Sequence, residues 1–309
     1  MKQIFWVLST LISSALLGCG SGGGGGADTS VSNDSPVVNP TVRRVERLAS
    51  GFDFSALNTN GYVALLGRTI YVSDASKIWS LNLSGQVNLT DTQTVTDPRG
   101  LTAASSSLYY AGSPQGNSNI YLYPSQTSRL VNIQNYNFGS LAAFGNDLYA
   151  IDFSSGSGAV LKFTNKIGTG SSVASLIGSS YITSDASYIY ATKQNGGATY
   201  FNPSSGSSSS WTGLTNPKGI AIAGSYAYVV SEADNNGNGA VILRVKLSDG
   251  TVDTYVDGQT LGAWDPSLSP GFCGPSGIAA NTQDGYLYVI NGYCTGITSN
   301  ANSLLRIKI

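Results

Sequence analysis

The stretch Gly277-Ile278-Ala279-Ala280, followed by Asp284-Gly285-Tyr286-Leu287-Tyr288-Val289, decides the fold of this 309-residue chain. It contains two short apolar runs, and the Asp and Gly between them are typical of a tight turn. The second run belongs to a repeat in which an apolar residue precedes a tyrosine, and this tyrosine recurs as Tyr71, Tyr109, Tyr149, Tyr190, Tyr228 and Tyr288. Successive tyrosines lie 38 to 41 residues apart, except for one interval of 60.

Each repeat contains further short runs besides the tyrosine run. A small-residue run usually precedes it, and alternating segments such as Val241–Leu247 and Thr251–Val256 follow it. Four short strands in about forty residues are the sequence signature of a β-propeller. The interval of 60 exceeds the others by about half a blade, so we interpret it as an insertion and not as a seventh blade. The sequence therefore predicts an all-β, six-bladed β-propeller with four-stranded blades.

The two ends of the repeat region predict how the ring closes. The last repeat stops at Leu304–Ile309, which is its third strand, while Val42–Leu48 is a strand that belongs to no earlier repeat. Pairing the N-terminal strand with the last blade would complete that blade and remove an open sheet edge. We therefore expect the last blade to be closed by the N-terminal strand.

Several repeats resemble NHL repeats. The matching segments include Pro217-Lys218-Gly219-Ile220-Ala221 and Pro275-Ser276-Gly277-Ile278-Ala279. The chain departs from the pattern in the fourth repeat, which lacks the Pro-x-Gly, and the Asp that follows the tyrosine strand is retained only at Asp74 and Asp152. The resemblance implies an NHL-like propeller spanning residues 42–309.

The N-terminal segment is predicted to be an export signal. Lys2 precedes the apolar stretch Ile4–Leu17, and Leu16-Leu17-Gly18-Cys19 resembles the lipobox of bacterial lipoproteins. That resemblance implies a signal peptide over 1–18, acylation of Cys19 with palmitate-type chains, and stable membrane anchoring. Gly20 after the cysteine implies the outer membrane of a Gram-negative bacterium. An ordinary secretory signal with an incidental cysteine is the alternative.

Residues 19–41 are predicted to be the lipidated cysteine and a flexible tether. Gly22–Gly26 is an unbroken glycine run, and Ser, Asn, Asp and Pro follow it with few large apolar residues. Such a segment buries too little surface to offset the entropy lost on ordering.

Composition excludes several function classes. The chain has no histidine, which excludes Ser-His-Asp and Cys-His nucleophile systems, His-ligated zinc and axial-His haem. The formal net charge is −1, with 16 basic and 17 acidic residues, so no general attraction to nucleic acid is expected.

Cys273 and Cys294 are predicted to form a structural disulfide. In a propeller, the connections between blades and the loops between second and third strands share one side, which we call the loop face. Both cysteines are expected on this face, and an exported compartment allows their oxidation. A redox-active pair is the alternative, although neither an adjacent base nor a Cys-x-x-Cys spacing favours it.

The loop face also carries the candidate binding residues. The insertion at 257–271, which we expect to be irregular, places Trp264 and Phe272 there, and Tyr293 lies in the last blade. Exposed aromatic side chains stack on sugars or anchor protein partners. The alternative is that they pack the insertion against its own blade.

One segment matches the first half of a calcium loop. Asp234, Asn236 and Asn238 stand at alternate positions with Gly239 after them. Val245 occupies the position of the bidentate Glu, so a plain hairpin loop is the alternative. Apart from this possible Ca²⁺, no cofactor is expected.

These features favour a membrane-anchored envelope lipoprotein that acts as a non-catalytic binding or scaffold module through its loop face. The expected partners are an envelope protein or a polysaccharide. A third possibility is a scaffold subunit of an envelope assembly, in which a partner covers most of the propeller. The alternative is a metal-dependent lactonase-like hydrolase or lyase with a site in the central channel. Lactonases of this architecture hold their metal with Glu, Asp and Asn, and this chain has only Glu46 and Glu232 as glutamates.

Overall fold

Short apolar or alternating segments, bounded by turns rich in Gly, Asn and Asp, form the strands of this protein. The computed structural model describes residues 45–54, 61–113, 118–125, 130, 136–156, 158–193, 195–232, 239–268, 272, 274–292 and 302–309. All of these belong to one compact unit, Val42–Ile309. Within them the chain is organised as six sheets.

The first strand and the first three blades follow in chain order. The N-terminal strand is β1 (Val45–Ser50). Blade one contains β2 (Tyr62–Leu66), β3 (Thr69–Ser73), β4 (Lys77–Asn82) and β5 (Gln93–Thr94). Blade two contains β6 (Arg99–Ala104), β7 (Ser107–Gly112) and β8 (Asn119–Leu122). Blade three contains β9 (Phe138–Phe144), β10 (Asp147–Asp152), β11 (Ala159–Phe163) and β12 (Ser171–Ser172).

The remaining blades have the same order. Blade four contains β13 (Ser179–Ser184), β14 (Ile189–Lys193), β15 (Ala198–Phe201) and β16 (Ser208–Trp211). Blade five contains β17 (Pro217–Ala223), β18 (Tyr226–Ser231), β19 (Val241–Lys246) and β20 (Val252–Asp257). Blade six contains β21 (Pro275–Asn281), β22 (Tyr286–Asn291), β23 (Ser303–Lys308) and β1.

The six-bladed prediction is confirmed. The first strand of each blade contacts the first strands of its two neighbours, so the six sheets form a closed ring. Five blades have four strands, and blade two has three within the described residues. The backbone amide of Leu130 donates to the carbonyl of Ile120 in β8 at 2.9 Å, on the edge where a fourth strand would pair.

The closure prediction is also confirmed. Strand β1 pairs antiparallel with β23, with Val45 opposite Ile307 and Ser50 opposite Ser303. The described strand begins three residues later and ends two residues later than the segment expected from the sequence. Val45 is 1% exposed and belongs to a core cluster that includes Leu305 and Ile307, so β1 supplies part of the core of blade six.

Close approach between neighbouring first strands explains the Pro-x-Gly repeat. A Cβ atom on Gly219 of blade five would lie 2.2 Å from the carbonyl oxygen of Ser276 in blade six. In the same way, a Cβ on Gly100 would lie 2.0 Å from the Gly139 carbonyl oxygen, and one on Gly277 would lie 2.6 Å from that of Gly61. The glycine therefore lets one blade approach the backbone of the next.

The repeating tyrosine lies in the second strand of every blade. At these positions the side chains are buried, and the tyrosines of blades five and six pack in clusters with residues of the following blade. Apolar packing between consecutive blades is thus the core of the ring.

The insertion contains a short helix, so the expectation of an irregular segment was wrong. Helix α1 (Gly258–Trp264) begins after Asp257, whose side chain accepts a hydrogen bond from the backbone amide of Thr260 at 2.6 Å. This N-cap satisfies one of the free amides of the first turn. Further short 3₁₀ helices are Thr164–Lys166, Ala174–Leu176 and Pro266–Leu268. No helix among the described residues is long and apolar enough to cross a membrane.

Candidate functional site

Two tyrosines from opposite blades meet in the central channel. Tyr62 is the first residue of β2 in blade one, and Tyr181 lies in β13 of blade four. Their ring centroids are 5.3 Å apart, and the rings are inclined by 37°. Because first strands run from the loop face into the ring, this pair closes the channel near the loop face.

Burial defines the chemistry of this pair. Burial raises the pKa of Tyr62, and the nearby Arg99 guanidinium opposes this shift only in part. Tyr62 is 9% exposed and Tyr181 is 3% exposed. The Tyr62 hydroxyl therefore stays protonated at ordinary pH, and the two rings provide a largely apolar floor to the channel mouth.

A pocket of about 260 Å³ lies over this floor on the loop face. Its walls come from the ends of strands in blades three, four and five, and the lining residues besides the two tyrosines are Phe153, Ser180, Asn216, Pro217, Lys218 and Glu232. The pocket thus combines aromatic surface with amide, hydroxyl and charged groups. We call it the loop-face pocket.

One ion pair borders the loop-face pocket, and a second lies near Tyr62. The Lys218 ammonium lies 3.0 Å from a Glu232 carboxylate oxygen, and the Glu232 side chain is 50% exposed. Near Tyr62, the Arg99 guanidinium lies 2.8 Å from Asp97 and also donates to the Asn137 side chain. Exposed pairs of this kind contribute little to stability, about 0 to 1 kcal/mol, so their charges are available to orient a ligand.

The two retained aspartates of the repeat hold loops in place. Asp74 accepts hydrogen bonds from the backbone amides of Asp53, Ser76 and Lys77 and from the Trp79 indole at 2.6 to 3.1 Å. Asp152 likewise accepts from the backbone amide of Asn137 at 2.8 Å. Each carboxylate fixes the described part of the connection that enters its own blade.

The channel beyond the tyrosine pair encloses about 230 Å³ and is lined by the small and aliphatic residues of the six first strands. Its described lining includes Thr102, Ser140 and Ser184 but no carboxylate and no amide side chain. No group of three or more His, Cys, Asp or Glu that could hold a metal occurs among the described residues. These residues do not fit the Glu, Asp and Asn ligand set of a lactonase-type metal, and we derive no metal-dependent step.

The two glutamates lie outside the channel lining. Glu46 is on β1 and pairs with the Arg306 guanidinium of β23. Glu232 borders the loop-face pocket.

The predicted aromatic binding residues have a packing role where they are described. Trp264 and Phe272 are half-buried and contact the apolar core cluster between blades five and six. The Arg47 guanidinium donates to the Ser267 carbonyl at 3.2 Å, which connects the insertion to β1. This packing is the alternative considered for the insertion, and a ligand contact by Trp264 or Phe272 stays a prediction.

Several predicted residues lie outside the described part of the chain. They are Cys19 of the lipobox, the disulfide candidates Cys273 and Cys294, the aromatic Tyr293, and the calcium candidates Asp234, Asn236 and Asn238. Their assignments stay predictions.

Sequence reasoning missed the tyrosine pair, although the repeat contained a signal for it. The strand pairing shows that Tyr62 and Tyr181 hold equivalent positions in their blades. Each stands immediately before a residue, Val63 or Ile182, that pairs with the residue following the repeating tyrosine of its own blade. Gly219 holds the equivalent place before Ile220. The pair therefore occupies the repeat's glycine position in blades one and four. The break in the Pro-x-Gly pattern of blade four marked this site.

The chain is a six-bladed β-propeller, and comparisons with known proteins agree with this class. No protein-family model matches the sequence, and no curated protein matches it. Among solved structures, it is similar to a gluconolactonase from Xanthomonas campestris, with 13% identity and a TM-score of 0.57 over 85% of this chain and 88% of that chain.

Two further structures extend the range of functions found on similar folds. The PQQ-bound aldose sugar dehydrogenase of Streptomyces coelicolor has 13% identity and a TM-score of 0.56 over 85% of this chain and 97% of that chain. A chain of a nidogen/laminin complex has 16% identity and a TM-score of 0.52 over 65% of this chain and 81% of that chain. At these identities the likeness establishes the fold alone.

Proposed function

We propose that this protein is a lipid-anchored envelope module that binds a partner at its loop face without performing a reaction. The observation that carries the proposal is the Tyr62–Tyr181 pair, which closes the channel and turns its mouth into a pocket with a fixed floor. A pocket whose floor is already in place loses less entropy on binding than one that must be ordered by the ligand. The expected partners are an envelope protein or a polysaccharide.

The contents of the loop-face pocket support a binding role over a catalytic one. The pocket offers the ring of Phe153, the Lys218–Glu232 ion pair and the amide of Asn216, which are groups that position a polar ligand. Its volume of about 260 Å³ suits one side chain or one sugar ring of a larger partner. The rest of the loop face would then supply the remaining contact area.

The enzymatic alternative has a specific weakness in the described channel. A lactonase-like reaction in the channel would require oxygen ligands for a metal, and the described lining supplies only hydroxyl and backbone groups. The solved sugar dehydrogenase and gluconolactonase relate to this chain through the fold, at 13% identity.

A charge reversal at Lys218 tests the binding site. We expect Lys218→Glu to reduce recovery of the partner from a detergent-solubilised envelope fraction by about tenfold, because a reversed charge at a binding site opposes a complementary ligand. Recovery would be measured by quantitative mass spectrometry for proteins and by sugar analysis for polysaccharides.

Lys246→Glu is the matched control. Lys246 forms an exposed ion pair with Asp249 at 2.7 Å on the third strand of the same blade, outside the loop-face pocket. The Lys246→Glu variant should leave recovery of the partner unchanged, and thermal melting should show that both variants are folded. Equal recovery of the partner with the wild-type chain and with the Lys218 variant would show that the loop-face pocket is not the binding site.

The anchor is tested separately at Cys19. We expect Cys19→Ser to move most of the protein from the membrane fraction to the soluble fraction, because the acyl chains provide the membrane affinity. Immunoblotting of both fractions and the intact mass of the protein check this result. Unchanged membrane association with an unmodified N-terminal mass would contradict lipidation.

A further inference from the structure

A second pocket, of about 240 Å³, lies between blades four and five beside the β13–β14 hairpin. Four aromatic rings line it, together with one carboxylate, one hydroxyl and one aliphatic side chain; these residues are Tyr188, Tyr190, Tyr200, Trp211, Asp185, Ser187 and Leu247. The Tyr190 and Trp211 rings are stacked with centroids 5.7 Å apart, and the Tyr188 and Tyr200 rings meet at 88°. We call this pocket the aromatic slot.

Three other blades have a basic residue at a third-strand position where blade four has an aromatic one. In blades three, five and six, the residue opposite the repeating tyrosine on the third strand is basic, and these residues are Lys162, Arg244 and Arg306. In blade four, the residue opposite Tyr190 is Tyr200. Blade four therefore has an aromatic ring at the position where three other blades supply a cation.

The basic residues of blades five and six lie over aromatic rings. The Arg244 guanidinium is 4.7 Å from the ring centroid of Tyr226, and the Arg306 guanidinium is 4.7 Å from that of Tyr286. Tyr188 is the equivalent residue of blade four, since each of these tyrosines stands two positions before the repeating one. Ring faces attract cations through their quadrupole, so the repeat has a place for a cation here.

The electrostatics of the aromatic slot are suited to a positive charge. Asp185 accepts hydrogen bonds from the Tyr190 hydroxyl at 2.7 Å and from the backbone amides of Ser187 and Tyr188 at 2.7 and 2.8 Å. Burial, followed by the neighbouring Asp185, raises the pKa of Tyr190, so its hydroxyl stays protonated. No lysine or arginine is among the described residues that line the slot.

We infer that the aromatic slot binds a small organic cation, of the alkylammonium class, which contacts the Tyr188 ring as Arg244 and Arg306 contact the equivalent tyrosines of the next two blades. The rings of Tyr188 and Tyr200 would face the cation, and Asp185 would neutralise it. The slot is built from residues separate from the loop-face pocket, so this inference does not depend on the proposed function.

The test compares choline with its neutral isostere, 3,3-dimethylbutan-1-ol, on the full-length protein at matched ionic strength. Binding is followed by calorimetry and by the fluorescence change of Trp211, which Trp211→Phe should remove. We expect choline to bind about tenfold more tightly than the isostere, as the attraction of a desolvated cation to aromatic faces implies. Equal affinity for the two probes, or an absence of choline binding to the folded protein, would overturn the inference, and preferential binding of glucose would reassign the slot to sugars.

Two variants assign the site. Tyr200→Arg places the basic residue of blades five and six into blade four, and it should abolish choline binding. Should that variant fold poorly, Tyr188→Leu removes one ring and should weaken binding several-fold. Tyr226→Leu, at the equivalent ring covered by Arg244, is the control and should bind choline like the wild-type protein. Loss of choline affinity in the control, or none in the slot variants, would refute the assignment.

Discussion

Gly219→Ala is expected to destabilise the propeller by about 2 to 4 kcal/mol, the range of severe overpacking in a rigid core. The added methyl group would lie 2.2 Å from the Ser276 carbonyl oxygen and 3.0 Å from the Ile278 backbone nitrogen. Both are backbone atoms of the first strand of blade six. Because each first strand is held between two neighbours in a closed ring, β21 cannot move away without disturbing blade one.

Chemical denaturation measures this effect, and Gly224→Asn provides the matched control. Gly224 lies in the same blade with nothing within 4 Å of a Cβ, and its φ of +56° is one that Asn tolerates. The control should change the free energy of unfolding by less than about 1 kcal/mol. A Gly219→Ala protein as stable as the wild type would show that the blades adjust more freely than the ring geometry implies.

Val45→Asp is expected to destabilise the protein by about 3 kcal/mol or more, because it places an ionisable group in an apolar core. Val45 is 1% exposed and packs with Leu305 and Ile307. Loss of β1 from blade six would also expose the free edge of β23, and an exposed edge strand promotes association between chains. Denaturation and size-exclusion chromatography therefore report two consequences of one substitution.

Ser50→Asp serves as the control for the closing strand. Ser50 lies on the same strand, is exposed, and pairs with Ser303. A charge at this position should alter stability by less than about 0.5 kcal/mol and leave the size-exclusion elution volume equal to that of the wild type. If both substitutions had the same small effect, β1 would not be required for closing the ring.

The repeat made the fold predictable because its signals are local and recur. The tyrosine strand and the small-residue strand before it predicted the number of blades, and the incomplete last repeat together with the unpaired N-terminal strand predicted the closure by β1. The structure confirms both. The helix in the insertion was not predicted, since Gly258–Trp264 contains two glycines and is only two turns long. Its formation depends on the Asp257 cap and on packing against the core cluster between blades five and six.

The candidate site was harder to predict because it depends on which blades are opposite each other. Tyr62 and Tyr181 are far apart in sequence, and each looks like an isolated departure from the glycine pattern. Only the six-fold arrangement brings blade one opposite blade four, so that two departures become one contact. The same applies to Tyr200. The strand pairing is needed to see that it holds the position that Lys162, Arg244 and Arg306 hold in three other blades.

The closing pair also determines how the protein responds to a pulling force. Val45 and Ile307 are paired at one end of the β1–β23 ladder, so the chain enters and leaves the ring at that same end. Tension between the two termini would separate the pair one hydrogen bond at a time, starting there, instead of shearing all of its bonds together. The β1–β23 pair is therefore loaded in the unzipping direction, in which its hydrogen bonds break in sequence and not all at once.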